Sequence, residues 1–217
     1  MSFITKEKSV ALYAALVSFG TYVFIFGFRK SFTVCTFEGM TFGPIAFKTA
    51  MVISQMLGYL MAKFYGIKFI SGLEKKNRYK IIFLLTGIAW AAWLLFAIVP
   101  APYSILFLFI NGFPLGMLWG VIFSYVEGRK STDFIGAALA VSFIFSSGWV
   151  KSVGAWLMAQ YHITEFWVPF CTGLVFALPL IICVYGLEKV PPPSEEEEML
   201  RTKRIPMTGV ERKFLLK

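Results

Sequence analysis

The chain has 217 residues, 58% hydrophobic and only 15% charged, with a mean hydropathy of +0.71. Soluble domains are about half apolar and about a quarter charged, so a water-soluble fold of this size could not hide so much apolar surface. Lipid is the expected solvent; a soluble enzyme, a nucleic-acid-binding domain and a disordered tail are excluded, and the net charge of +9 reads as topology.

A membrane helix needs ~20 mostly apolar residues. Six segments meet this, at about 10–37, 42–66, 81–99, 103–126, 134–159 and 166–187. The first is long and holds the pair Arg29-Lys30, which sets it apart from a cleavable signal peptide despite Lys6 and Lys8 ahead of it. No segment alternates polar and apolar residues over the length of a barrel strand. The expected fold is therefore an all-α membrane protein, a six-transmembrane-helix bundle over 10–187 between a short segment 1–9 and a charged tail or linker 188–217.

The connections orient it. Lys63, at the end of the second span, and Lys68, Lys75, Lys76, Arg78 and Lys80 lie toward the third, Arg129 and Lys130 follow the fourth, and seven more cations the sixth. The stretches 35–41, 100–102 and 160–165 contain no Lys or Arg. This asymmetry predicts both termini in the cytoplasm, in a multi-pass protein of a plasma membrane or bacterial inner membrane. In the tail, Pro191-Pro192-Pro193 is a stiff spacer and Ser194 followed by four glutamates can cap a helix. The basic residues beyond are either plainly solvated or in contact with anionic lipid heads.

Four cations fall inside spans or at their margins: Arg29, Lys30, Lys48 and Lys151. Facing lipid, each costs a few kcal/mol at the bilayer centre. Counting along the helices puts Arg29 and Lys48 ~9 Å outward of mid-span and Lys151 ~8 Å. No Asp or Glu lies in the middle of any span; Glu38, Glu127, Asp133, Glu165 and Glu188 sit at ends. Cations without a buried counter-charge suit an anionic ligand and disfavour a proton relay built on intramembrane carboxylates. The alternative for Lys30, Lys48 and Lys151 is snorkelling to the outer headgroups. Arg29 is the strongest candidate, because its planar guanidinium grips phosphate or carboxylate oxygens in pairs. Tyr22, seven residues earlier, shares its helix face. Asn111 and the spaced glycines 112, 116 and 120 run along the fourth span, the glycines suited to close helix approach.

Cys35, Cys171 and Cys183 fit neither a disulfide framework nor a metal spacing, and His162 stands alone in an outer loop. No nucleophile–base pair, metal cluster or phosphate-cradling glycine loop is present, so no enzyme activity and no cofactor are expected.

Two patches resemble a known family. Tyr22-Val-Phe-Ile-Phe-Gly-Phe-Arg29-Lys30-Ser-Phe32 is similar to the first helix of the organophosphate:phosphate antiporters of the major facilitator superfamily. Gly112-Phe-Pro-Leu-Gly116-Met117-Leu-Trp119 is similar to their fourth. The resemblance implies that the chain forms one half of a twelve-helix fold, that Arg29 binds a substrate phosphate with Tyr22 beside it, and that a second six-helix half is a partner. It places the family's second-helix lysine near Gln55 and its fifth-helix histidine near Phe145. Gly58-Tyr-Leu-Met-Ala62-Lys63 lacks the Asp of the superfamily's loop motif. The expected function is alternating-access transport of a small organic or phosphate-bearing anion, with Arg29, Lys151, Tyr22, Lys30, Lys48 and Asn111 at the substrate. The rival is a non-transporting scaffold or accessory subunit whose cations bind anionic lipid heads. Membrane lipids are partners in both readings; nucleic acid is in neither.

Overall fold

The structure, a computed structural model, describes residues 3–72, 77–194 and 196–197. Lys75, Lys76 and the basic residues from Arg201 onward lie outside the described residues.

Six α-helices account for most of the chain: α1 Phe3–Lys30, α2 Phe47–Ser71, α3 Arg78–Ile98, α4 Ile105–Val126, α5 Thr132–Tyr161 and α6 Val168–Glu188. Five segments are long and apolar enough to cross a membrane: Glu7–Val34 and helices α3, α4, α5 and α6. The protein is therefore a multi-pass membrane protein built of helices. Helix α2 is as long as the others but does not reach their apolarity. Lys48, Ser54, Gln55, Tyr59, Lys63 and Lys68 dilute its run of Met, Ile and Leu.

The boundaries at the first connection differ from the sequence expectation. Helix α1 stops at Lys30 and tightens into a 3₁₀ turn, Ser31–Val34, rather than running to Phe37. The Thr33 hydroxyl donates to Lys30 O (2.6 Å), and past the stop the ammonium of Lys48 donates to the carbonyls of Thr33 (3.0 Å) and Cys35 (2.6 Å). With Arg29 and Lys30 in the last turn, three cations gather where the helix dipole is negative. Helix α2 begins at Phe47, five residues later than expected, because Thr41–Phe42 and Ile45–Ala46 pair as an antiparallel hairpin. Gly43, at φ +59°, and Pro44 form its two-residue turn, where a glycine in the first position is the usual solution.

Helices run alternately up and down, and α1 and α4 form the centre. Helix α1 packs on α5 and α6, α4 packs on α2 and α3, and the two central helices touch. At the end where α1 begins and α6 finishes, here the tail end, the α4–α5 turn meets the segment after α6. Arg129 donates to Pro191 O. The Lys130 amide donates to Glu197 (2.8 Å) and its ammonium to Glu196 (3.1 Å). Ser194 and Glu197 cap each other reciprocally: the Ser194 amide donates to the Glu197 carboxylate (2.9 Å) and the Glu197 amide to Ser194 Oγ (3.3 Å). The hydrogen bond to Glu196 leads in pushing the Lys130 ammonium above its ordinary range. At the opposite end, Glu165 accepts the amides of Thr36 (2.5 Å) and Phe37 (2.8 Å). Phe37, Phe47, Phe96 and Phe166 form a ring cluster there, with centroids 5.3–6.2 Å apart.

Helices α2 and α4 approach until their backbones touch. A Cβ on Gly112 would overlap the carbonyl oxygen of Gln55, and one on Gly58 would overlap that of Phe109. These glycines face each other's helix, and the contact is backbone on backbone. Gly112→Ala must push the helices apart, at a cost of about 1–3 kcal/mol, and is expected to lower the melting temperature in detergent by several degrees. Gly148, with nothing within 4 Å of a built Cβ, is the control: Gly148→Ala should melt no lower than the parent. Equal melting of the two variants would overturn this account of the contact.

Candidate functional site

Arg29 sits in the last turn of α1, yet its guanidinium lies deeper than its backbone. Helical side chains lean toward their own N-terminus, so Arg29 reaches back along α1. Its Cζ comes 4.1 Å from the centroid of the Tyr59 ring and 5.9 Å from that of Phe26. Tyr59 is the middle residue of α2. Lys63, one turn along α2, also leans toward its N-terminus. Helices α1 and α2 are antiparallel, so it approaches from the other side, with Nζ 4.7 Å from the same ring centroid. Tyr22, 1% exposed, turns its hydroxyl toward Arg29 and Tyr59, and its ring packs edge-on against Phe143 of α5 at 4.8 Å. The group thus lies on α1 between α2 and α5. Arg29 is half-buried and Lys63 exposed.

The electrostatics are lopsided. Among the described residues no carboxylate forms an ion pair with Arg29 or Lys63, and Arg29 Nε is buried without a hydrogen-bond partner. Contacts with the Tyr59 face are worth up to about 2 kcal/mol when desolvated. Withdrawing a cation from water costs several kcal/mol. The ring softens the charge but leaves a net positive site with unused donors, which is the chemistry of an anion cradle.

A hydrogen-bonded knot beside it fixes the geometry. Asn111 of α4 is fully buried. Its Nδ2 donates to Phe28 O (3.0 Å) and Ala89 O (2.9 Å), and its Oδ1 accepts from Gln55 Nε2 (2.8 Å). Gln55 also donates to Arg29 O (2.7 Å). Trp93 Nε1 donates to Phe28 O (2.5 Å). One amide thereby joins α1, α2, α3 and α4 at the level of Arg29.

The sequence candidates separate accordingly. Tyr22 and Arg29 come together. Lys30 follows Arg29, half-buried, with Nζ 5.8 Å from the Phe32 ring. Asn111 spends both amide hydrogens on backbone carbonyls, so it is a structural tie rather than a ligand contact. Lys48 is engaged with Thr33 and Cys35 at the end of α1. Lys151 is exposed on α5 and has no hydrogen bond or ion pair among the described residues. Sequence reasoning missed Tyr59 and Lys63, and Lys63 was counted with the loop cations because the second span was placed five residues early. The four-residue spacing Gln55–Tyr59–Lys63 puts all three on one helix face and was the available signal.

Asn111→Leu keeps the branching and the number of side-chain heavy atoms and removes the knot. It leaves the Gln55 amide without its side-chain acceptor, a loss of about 2 kcal/mol, and the melting temperature should fall. A variant as stable as the parent would mean that the knot does not hold α1 against α2.

Comparison with known proteins gives one result. The profile of DUF5690, described as a family of unknown function, matches residues 31–217, and the chain belongs to that family. Searches of curated proteins and of solved structures return no match.

Proposed function

We propose that this member of DUF5690 carries a small organic or phosphate-bearing anion across the membrane, with Arg29 and Lys63 holding its negative group over Tyr59. The observation behind this reading is the meeting of two cations on one ring near mid-bundle, with no carboxylate among the described residues to neutralise them. In this reading all six helices cross the membrane, α2 placing Gln55, Tyr59 and Lys63 toward the site and Lys48 and Ser54 on backbone carbonyls, and both termini are cytoplasmic. Transport proceeds by alternating access, this bundle being one of two six-helix halves, in keeping with the resemblance of the first and fourth helices to the organophosphate:phosphate antiporters. The membrane is a plasma membrane or bacterial inner membrane.

Two experiments test it. Orientation is read by labelling single cysteines, in a cysteine-free background, with a membrane-impermeant reagent on intact cells. His162→Cys should label and Asn77→Cys should not; the reverse result inverts the topology. Ligand binding is read by thermal stabilisation of the purified protein with inorganic phosphate, a three-carbon phosphate monoester and a four-carbon dicarboxylate. At least one should stabilise the parent. Arg29→Lys loses the paired donors and Lys63→Gln one charge, so each should weaken that response about tenfold or more, the loss of a charge-assisted contact. If the effective anion stabilises Arg29→Ala as well as it does the parent, the site is elsewhere. If no anion stabilises the parent, the transport reading fails and the scaffold reading stands.

A further inference from the structure

We propose that the groove between the tail-end halves of α3 and α6 binds an anionic phospholipid, with an acyl chain along Phe83 and Ile181 and the headgroup phosphate between Lys80 and Lys189. The groove is a separate feature from the Arg29 site and does not depend on what that site carries.

Its shape follows from how the two helices are joined. At the far end Trp90 of α3 fastens them together. Its Nε1 donates to Phe170 O (3.1 Å), its ring stacks on Phe170 at 5.3 Å, and Gly173 leaves it room. Toward the tail end a cavity of about 340 Å³ opens, lined by Tyr79, Phe83, Ile181, Val184, Tyr185 and Glu188. Aliphatic and aromatic walls of this kind suit a hydrocarbon chain rather than a polar solute. Glu188, the lone carboxylate in the lining, is engaged on its other side by the Tyr125 hydroxyl.

The mouth is cationic. Lys80 Nζ lies 5.9 Å from the Tyr79 ring centroid and Lys189 Nζ 4.4 Å from that of Tyr185. Both lysines are exposed, and neither forms an ion pair with a carboxylate among the described residues. The start of α3 adds to this field, because it has no side-chain cap and no acidic residue in its first turn. The positive end of its dipole therefore favours a negative charge. Helix α3 starts and α6 ends at this level, so the lysines stand at headgroup depth while the groove runs into the hydrocarbon. A neutral lipid would fill the groove equally well; the pair of exposed lysines, with no ion pair among the described residues, selects an anionic one.

The test uses the full chain in nanodiscs of phosphatidylcholine alone and of phosphatidylcholine with phosphatidylglycerol. Binding is read by thermal melting and by native mass spectrometry of retained lipid. The parent should melt higher with phosphatidylglycerol present and retain it on release from the disc. Lys80→Gln/Lys189→Gln should weaken retention on the order of thirtyfold, the loss of two lysine–headgroup interactions. Lys8→Gln/Lys68→Gln, which removes the same charge elsewhere, should behave as the parent. Phe83→Trp, which fills the groove and leaves the lysines in place, should also reduce retention. Equal retention by the Lys80/Lys189 variant and the parent overturns the proposal, as does equal stabilisation of the parent by phosphatidylcholine alone. Loss of retention in both double variants would also overturn it, by showing that overall charge and not this groove holds the lipid.

Discussion

The carboxamide of Asn111 is the interaction on which the arrangement depends. It is buried at the middle of the bundle, where an unsatisfied polar group is costly. It is satisfied only if α1, α2 and α3 all present their polar atoms at one level: Phe28 O, Gln55 Nε2 and Ala89 O. That requirement fixes the register of three helices against α4. The glycines at 58 and 112 do the complementary work, letting α2 come close enough for Gln55 to reach both Asn111 and the backbone of Arg29. Moving α2 outward by the width of a methyl group would break the knot and carry Tyr59 away from Arg29 together. Stability and the candidate site therefore share their supports.

Register alone does not make the cation pair; helix direction does. Side chains lean toward the N-terminus of their own helix. On parallel helices, Arg29 and Lys63 would lean the same way and their ends would separate by the same offset as their backbones. On antiparallel helices they lean toward each other, and residues whose Cα atoms lie at different depths meet at the ring of Tyr59 between them. The up-and-down topology thus turns two charges placed for different local reasons into one site. Arg29 belongs to the cationic end of α1, and Lys63 lies on the polar face of α2.

How much of this the sequence could tell depends on whether a residue's partner is near in the chain. The helices were legible from hydropathy, because each is a local composition. The reciprocal cap at Ser194 and Glu197 was legible because both partners lie within one turn. The early end of α1 was not, because the carbonyls of the turn that follows it are held by Lys48, beyond a hairpin and on another helix. The same shift hid Lys63: placing α2 five residues early moved that lysine from the helix interior to its end. Lys48 and Asn111 stand out in the sequence as polar residues within helical spans. Their partners are backbone carbonyls, which carry no sequence signal at all, so the structural role could not be told apart from a ligand-binding one.

The remaining cations sort by what surrounds them. Lys48 has carbonyls and Lys130 has carboxylates, and each is quenched by this chain's own atoms. Arg29 with Lys63, and Lys80 with Lys189, rest on aromatic faces. A ring holds a cation in place without cancelling its charge, since the quadrupole contact is weaker than an ion pair and occupies none of the cation's N–H donors. Tyrosine beneath a basic residue therefore leaves a positioned positive charge with its donors free. The protein does this at two depths. Near mid-bundle the charge lies beside buried groups between α1 and α2, which in the function proposed above suits a small anion. At headgroup depth it lies over an apolar groove, and the anion that suits it must bring a hydrocarbon chain. In the two proposals the same pair of residue types serves a solute in one place and a lipid in the other because the neighbouring surface differs, not the cation.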